Sequence, residues 1–240
     1  MTSIRVLGVR VDAVDPDSAL ARIEELVAGG GHHLVATVNP EFIMRARSDP
    51  AFQAVLDSAG LCLPDGWGVI WAARRQGRPL PGRVPGVDLI PPLAARAARL
   101  GWRLFLLGAA PGVAEAAAER LRADYPGLVI TGCHAGEAGP EGDEESLRRI
   151  AAAGADIVLV AYGAPRQELW IARNLARLPA AVGIGVGGAF DFLSGRVRRA
   201  PGWMRRLGLE WLFRLAVQPW RARRMAVLPR FALEVLRTRA

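Results

Sequence analysis

The chain has 240 residues, 51% of them hydrophobic, which suits one folded unit with a well-buried core. All 31 basic residues are arginine, because the sequence contains no lysine. That excludes Schiff-base chemistry on a lysine and the lysine of a phosphate-binding P-loop, so an anion site here must use guanidinium groups or backbone amides. Two cysteines and three histidines indicate neither a disulfide framework nor a zinc site.

Positive charge is concentrated at the end of the chain. Residues 196–240 carry 12 arginines against Glu210 and Glu234, whereas residues 1–195 have a net formal charge of −2. This contrast predicts an α/β catalytic core over 1–195 and an arginine-rich helical appendage over 196–240, called the tail below. The first residues lack the apolar stretch of a signal peptide, and no uncharged run is long enough to cross a bilayer, so we expect a cytoplasmic protein.

Short β-branched runs alternate with helix-like stretches through the core. The helix pattern at 17–30 begins near a capping residue and ends at glycines, and the pattern at 111–127 begins and ends with proline and glycine. Between the helices, near-continuous apolar runs favour parallel strands covered on both faces. These runs are residues 33–38, 61–64, 103–108, 127–132, 156–161 and 180–188. The alternation predicts an α/β fold with a doubly wound, mainly parallel, Rossmann-like sheet.

Ligands of an open parallel sheet bind beyond the carboxyl ends of the strands, so the residues that follow each strand are functional candidates. Thr37 and Asn39 in TVNPE end the first apolar run, where turn and cap chemistry explains them equally well. Asp65 in LPDGWG follows the second run. Asp65 either forms an Asp-Gly turn or is a carboxylate whose pKa is raised by apolar neighbours, which would make it a candidate general base.

Two further motifs follow later strands. In YGAPRQELW, Gln167 and Glu168 stand in the first turn of a helix whose amides are an anion site, unless Glu168 only complements the helix dipole. GIGVGGAFDF, which contains Gly185, Gly187 and Asp191, formally matches the G-x-G-x-x-G dinucleotide fingerprint through Gly183, Gly185 and Gly188. The strand with an acidic end that such a site requires is implausible in the arginine-rich tail. The glycines are better interpreted as letting the backbone approach a nucleotide, with Asp191 accepting hydrogen bonds from it.

The only D-x-D string, formed by Asp15 and Asp17, resembles the metal-nucleotide ligands of some glycosyltransferases. It stands at a predicted helix start, where capping explains it. We therefore expect no metal ion and no other cofactor.

Seven ordered motifs together resemble the WecG/TagA/CpsF family of bacterial glycosyltransferases over nearly the full length of the chain. They are TVNPE, LPDGWGV, the arginine of GRVPGVDL, LFLLGAAPGVAEAA, YGAPRQELW, GVGGAFDFLSGRVRRAPGW and GLEWLFRLAVQPWRARR. The resemblance implies transfer, with inversion, of an N-acetylmannosamine-type sugar from a UDP-sugar to N-acetylglucosamine on a polyprenyl-diphosphate carrier. Such products serve surface polymers such as wall teichoic acid.

The resemblance also implies roles for single residues. Asp65 matches the catalytic base, and the positions around the sugar and diphosphate are Thr37, Asn39, Arg83 and Gln167. Gly185, Gly187 and Asp191 match the UDP site. Arg214, Arg221 and Arg224 match tail arginines that fold over the active site and bind the diphosphate. The chain departs from the family pattern at Glu137, where relatives usually have an aromatic residue, and at Gln218, where they usually have an acid.

The tail combines arginines with large apolar side chains, which is typical of a segment that lies on an anionic membrane surface. The predicted anchors are Trp203, Trp211, Phe213, Trp220 and Phe231. We expect a peripheral protein on the inner face of the plasma membrane, with Pro219 and Pro229 dividing the tail into two or three helices.

Other interpretations of the tail and of the whole chain are open at this point. The tail could instead pack on the core or on a second subunit, so a homo-oligomer is left open. A non-catalytic nucleotide-binding scaffold is an alternative function. Nucleic-acid binding through the tail is a weaker one, because it leaves the motifs at the strand ends unused, and we expect no nucleic-acid partner.

Overall fold

The structure is a computed structural model that describes residues 2–219 and 222–238. The strands are β1 (Ser3–Val6), β2 (Val9–Asp12), β3 (His33–Val38), β4 (Leu61–Pro64), β5 (Arg103–Gly108), β6 (Val129–His134), β7 (Ile157–Ala161) and β8 (Val182–Gly185). The core helices are α1 (Pro16–Ala28), α2 (Pro40–Ala46), α3 (Pro50–Ser58), α4 (Trp67–Arg75), α5 (Gly86–Leu100), α6 (Val113–Asp124), α7 (Asp143–Ala153), α8 (Arg166–Asn174) and α9 (Ala189–Leu193). The tail contains α10 (Gly202–Arg206), α11 (Glu210–Val217), α12 (Ala222–Met225) and α13 (Val227–Arg237).

Six parallel strands form the central sheet in the order β4-β3-β8-β7-β5-β6. Alternate side chains of β5 enter opposite cores, with Phe105 and Leu107 in one and Leu104 and Leu106 in the other. Because both faces of the sheet are covered, the strand sequences are continuous apolar runs rather than alternating apolar and polar residues. The predicted α/β fold with a mainly parallel sheet is confirmed.

The bounds of three strands differ from the prediction, and for β7 the difference is only a start one residue later, at Ile157. β6 begins two residues later than the apolar run, because the chain first makes a turn at Gly127, whose φ is +89°. β8 ends at Gly185 rather than at 188, because the next residues form the loop that leads into α9. The antiparallel hairpin of β1 and β2 was not part of the prediction.

The hairpin is fastened to β4 by one buried carboxylate. Asp12 accepts a hydrogen bond of 2.7 Å from the backbone N–H of Cys62 and two of 3.0 Å from the guanidinium of Arg10. Removal of one partner of such a buried pair is destabilising, because the remaining charge is left without compensation. The contact fixes the strand that leads into Asp65.

The tail lies against the core through its last helix. α13 packs on α2 and α4, and Phe231 and Val235 are 2% and 1% exposed. The expectation that Phe231 is a membrane anchor is therefore wrong. Pro229 also does not divide the tail, because it is the third residue of α13, where no helical hydrogen bond is lost. α11 does end just before Pro219.

Candidate active site

The carboxyl ends of four adjacent strands open into one cavity of about 440 Å³. Its floor is formed by the residues that follow these strands, and they include Asn39 after β3, Asp65 after β4, Gln167 after β7 and Gly187 after β8. The tail covers the cavity as a roof. The roof residues are Gly208, Glu210, Trp211, Arg214, Arg224, Met225, Leu228, Phe231 and Ala232.

Asp65 lies half-buried on the floor, where its backbone N–H donates to the carbonyl of Val38 at 2.8 Å. Burial raises the pKa of Asp65 to about 7, and the negative charge of Glu210 acts in the same direction. The positive charge of Arg83 opposes this shift without cancelling it. A carboxylate that titrates near neutrality can accept a proton from a hydroxyl group and is suited to general-base catalysis.

Arg83 reaches the cavity from the loop between α4 and α5. Its guanidinium lies over the ring of Trp67, 5.7 Å from the centroid, and 3.8 Å from a carboxylate oxygen of Asp88. Asp88 is held more closely by Arg199, which donates to both of its oxygens and also to Glu210 at 2.9 Å. The ring of Trp67 and the carboxylate of Asp88 thus hold Arg83 beside Asp65.

Arg214 projects into the cavity from α11 and stacks on Phe192 at 4.8 Å from the ring centroid. Desolvation lowers the pKa of Arg214, and within the described part of the chain no carboxylate lies within ion-pair distance of it. Its buried Nε has no partner among these residues either. A partly dehydrated cation without an acid partner is suited to binding an anionic ligand.

The other two tail arginines of the motif differ from Arg214. Arg224 lines the cavity, and its guanidinium donates to Glu41 at 2.6 and 3.0 Å. Arg221 and Trp220 lie outside the described residues.

Two core helices of nine residues begin at the cavity without a side-chain cap. The residue before α4 is Gly66 and the residue before α8 is Pro165, and neither can cap a helix with its side chain. Some of their first backbone amides already donate to carbonyls of the preceding loops, but the positive ends of both helix dipoles face this region. α2 differs, because Asn39 accepts a hydrogen bond from Phe42 and caps it, as the capping interpretation predicted.

The part of the tail around α10 and α11 is docked on α4 by one tryptophan. The indole N–H of Trp67 donates to the carbonyl of Arg205 at 3.1 Å. The ring lies against Gly208, where a Cβ would come within 2.7 Å of it. Gly208 has a φ of +75°, which a side chain would also disfavour. Only a glycine lets the α10–α11 turn approach the ring this closely.

Most of the predicted site residues meet in the cavity. Those that line it are Thr37, Asn39, Asp65, Arg83, Gln167, Gly187, Arg214 and Arg224. Gly185 lies beneath the floor in β8, where its carbonyl accepts a hydrogen bond from Thr37 at 3.1 Å. Asp191 lies on α9 and does not line the cavity.

Several other residues at the site were not among the predicted site residues. Trp71, Trp211 and Leu228 add apolar surface to the cavity wall, and Glu210 adds an acid to the roof. Three of these four residues come from the tail, whose composition predicted arginine contacts with a ligand but not an apolar wall. The composition of the tail does not show that one of its helices packs against the core.

The D-x-D string has the structural role that capping predicts. Asp15 accepts a hydrogen bond of 2.8 Å from the backbone N–H of Ser18 and begins α1. Over residues 2–219 and 222–238, the side chains of His, Cys, Asp and Glu nowhere gather in threes as a metal site would require. In the same ranges, no helix has the length and apolar character needed to cross a membrane.

The sequence profile of the glycosyl transferase WecG/TagA/CpsF family matches residues 4–240. The chain belongs to this family. It is 40% identical over 203 residues to the N-acetylglucosaminyldiphosphoundecaprenol N-acetyl-beta-D-mannosaminyltransferase of Bacillus spizizenii (strain ATCC 23059 / NRRL B-14472 / W23), covering 85% of this chain and 78% of that protein. The protein of the same name from Bacillus subtilis (strain 168) is 39% identical over 206 residues, covering 85% of this chain and 79% of the relative.

Membership of the WecG/TagA/CpsF family confirms the resemblance drawn from the seven motifs. It makes the chain a glycosyltransferase. Both relatives are named for the same sugar and the same lipid-linked acceptor.

Proposed function

We propose that the protein transfers an N-acetylmannosamine-type sugar from a UDP-sugar, with inversion, to N-acetylglucosamine on a polyprenyl-diphosphate carrier. The names of the two relatives support the sugar and the acceptor. The observation that carries the proposal is the placement of Asp65, with a pKa of about 7, in a cavity that Arg83, Arg214 and two helix N-termini also enter.

The reaction needs one base and one site for the leaving diphosphate. Asp65 takes the proton from the acceptor hydroxyl, whose oxygen forms the new bond to the sugar carbon from the face opposite the diphosphate. The bond from that carbon to the diphosphate breaks, and UDP leaves with the electron pair. Arg214 stabilises the charge that develops on the leaving oxygen, together with Arg83 and Arg224. Thr37, Asn39 and Gln167 shape the floor under the sugar.

The charge of the leaving group can be stabilised by arginines alone. Guanidinium groups bind phosphate oxygens in a bidentate manner, and in this cavity they are partly dehydrated, which strengthens their interaction with an anion. We therefore propose that transfer requires no metal ion. Activity in the presence of excess EDTA tests this, and a strict requirement for a divalent cation would contradict it.

The exposed face of the tail supports attachment to an anionic membrane surface. Trp203 of α10 and Leu207, which follows this helix, are 60% and 67% exposed, and Leu212 and Val217 of α11 are also exposed. Each arginine close to an anionic leaflet contributes about 1 kcal/mol of attraction. We propose that the protein acts at the inner face of the plasma membrane, where a lipid-linked acceptor is accessible.

The decisive experiment offers several UDP-sugars to the protein with a short-chain lipid-diphosphate N-acetylglucosamine acceptor. Transfer from UDP-N-acetylmannosamine is expected, and NMR of the product should show the β-anomer if the donor is the α-anomer. Transfer to water alone, or a product that keeps the donor configuration, would contradict the proposal. Flotation with anionic and with neutral vesicles tests the membrane part separately.

A further inference from the structure

A buried amide and a buried acid lie side by side under the floor of the cavity. Gln167 and Glu168 occupy the second and third positions of α8, and their side chains are 1% and 0% exposed. The Gln167 Nε2 donates to the Glu168 Oε1 at 2.6 Å. An acid without a cation in such a place is costly, which suggests that the pair has a purpose other than stability.

The amide oxygen of Gln167 joins two loops. It accepts the backbone N–H of Gly163, which follows β7, at 3.1 Å, and that of Gly187, which follows β8, at 2.9 Å. Both glycines have φ in the left-handed region, at +78° and +57°. Both loops line the cavity, and the first leads directly into α8. One amide thus holds together two segments that come from different strands.

These contacts determine which way the amide of Gln167 faces. Two backbone N–H groups require an acceptor, so the oxygen must face the loops and the Nε2 must face the opposite way. On that side lies the carboxyl group of Glu168, which supplies the acceptor that the buried Nε2 needs. Without it, either the Nε2 loses its partner or the amide rotates and releases the two loops.

Space for the pair is made by a glycine of the glycine-rich motif. A Cβ at Gly185 would come within 2.6 Å of the Gln167 Nε2 and closer still to the Glu168 Oε1. The carbonyl of the same glycine accepts the hydroxyl of Thr37, another residue of the floor. The contacts of Gly185 therefore explain its place in the motif without a direct contact with the cavity.

We propose that Glu168 is a positioning residue, which orients the amide of Gln167 so that the loops after β7 and β8 keep the shape that the donor site needs. Glu168 itself does not line the cavity, so it acts through Gln167. Burial raises the pKa of Glu168 to about 8, so the carboxyl group is mostly neutral at pH 7. A neutral glutamine should therefore be able to replace it.

Amide hydrogen exchange followed by NMR tests the proposal without any assay of activity. In the unaltered protein the amides of Gly163 and Gly187 should exchange slowly. In Glu168→Met, which keeps the length of the side chain but removes the acceptor, both should exchange at least about tenfold faster, and in Glu168→Gln both should remain slow. Slow exchange of both amides in Glu168→Met would overturn the proposal, as would fast exchange of both in the unaltered protein.

Turnover provides a second measurement, which rests on the proposed function. Glu168→Met should lower kcat at least about tenfold, because misplacement of a binding loop by a fraction of an ångström costs rate, and Glu168→Gln should stay within about threefold of normal. The matched control is Asn174→Leu, which removes a buried hydrogen bond to Trp170 from the same helix but touches neither loop. It should lower the melting temperature and leave kcat of the folded protein unchanged.

The outcomes distinguish the positioning role of Glu168 from the proposed glycosyl transfer. Loss of kcat in Glu168→Gln equal to that in Glu168→Met would overturn the positioning role while leaving the glycosyl transfer intact. If Glu168→Met fails to fold, a loss greater than tenfold in Glu168→Gln would still overturn it. If no UDP-sugar is transferred by the unaltered protein, the proposed function fails, and the exchange measurement still decides the role of Glu168.

Discussion

The floor and the roof of the cavity are built in different ways. On the floor, two polar side chains have fixed partners: Thr37 donates to Gly185, and the oxygen of Gln167 accepts from two loops. In the roof, Arg224 pairs with Glu41 at a partly exposed position, and Arg214 has no acid partner within the described residues. The floor is thus organised before a ligand arrives, whereas the roof keeps positive charge available for one.

The difference extends to how each part is held in place. The floor follows four buried strands of the sheet, and three of them, β3, β8 and β7, are hydrogen-bonded to a neighbouring strand on both sides. The roof is attached by surface ion pairs such as Arg47 with Glu234, each contributing about 0 to 1 kcal/mol, and by the buried side chains of Phe231 and Val235. The roof is therefore the part of the site that a membrane surface or a substrate can most easily displace.

The largest effect is expected from a substitution that removes the proposed base, Asp65, from the floor. Asp65→Asn should lower turnover by roughly 10²- to 10⁴-fold while the fold and UDP binding persist, because the amide cannot accept the proton. Steady-state kinetics and calorimetric UDP titration provide the measurement. Turnover close to normal would remove Asp65 from this role and place the chemistry elsewhere in the cavity.

The next largest effect is expected from removal of Arg214, the roof cation without an acid partner among the described residues. Arg214→Gln should lower kcat by about 10²- to 10³-fold, as loss of one contact to a developing charge does in other enzymes. Arg206→Gln is the matched control, since Arg206 is an exposed tail arginine that does not line the cavity. Equal losses of kcat in the two variants would mean that only the total positive charge of the tail affects catalysis. The proposed difference between floor and roof would then be wrong.

The pH dependence should reveal the environment of the base. Burial raises the pKa of Asp65 to about 7, so the base is protonated and inactive below that pH. We expect kcat/KM to fall about tenfold per pH unit on the acid side of 7 and to level off above it. A profile that stays flat down to pH 5 would show that the base titrates as an ordinary exposed aspartate.

The smallest effect is expected from a substitution that displaces the roof without changing a charged residue. Gly208→Ala places a Cβ 2.7 Å from the ring of Trp67 and should lower kcat about three- to tenfold. The control, Gly101→Ala, has a similar φ of +73° but no atom within 4 Å of the new Cβ, so it reproduces the backbone strain alone. If both variants cost the same turnover, docking of the tail on Trp67 has no part in catalysis.

Much of the floor could be predicted from the sequence, because it consists of short motifs that directly follow apolar strands. Asp65 and Asn39 were found by their position after a strand alone. The contacts of Gly185 with Glu168 could not be found in this way, since they join residues 17 positions apart through the packing of α8 on β8. Glu168 was visible only as an acid in the first turn of a helix, where exposure is the usual expectation.

The roof was predicted less well, for a physical reason. Arginine content predicts that a segment binds anions, but it does not say which arginine will be left without an acid. Arg199 and Arg224 are equally basic in the sequence, and both are paired with acids in the fold. Phe231 resembled the exposed tryptophans by composition and differs from them only because α13 packs on α2 and α4.

The burial of Phe231 limits how the chain can be shortened. Its ring lies 3.4 Å from where a Cβ of Gly68 would be, beside Pro40, in a space between the two helices that follow Asn39 and Asp65. Removal of the tail would leave an apolar slot on the surface of the core next to the base. Such slots promote self-association, so a truncated enzyme should aggregate, or dimerise through a face that the complete chain keeps covered.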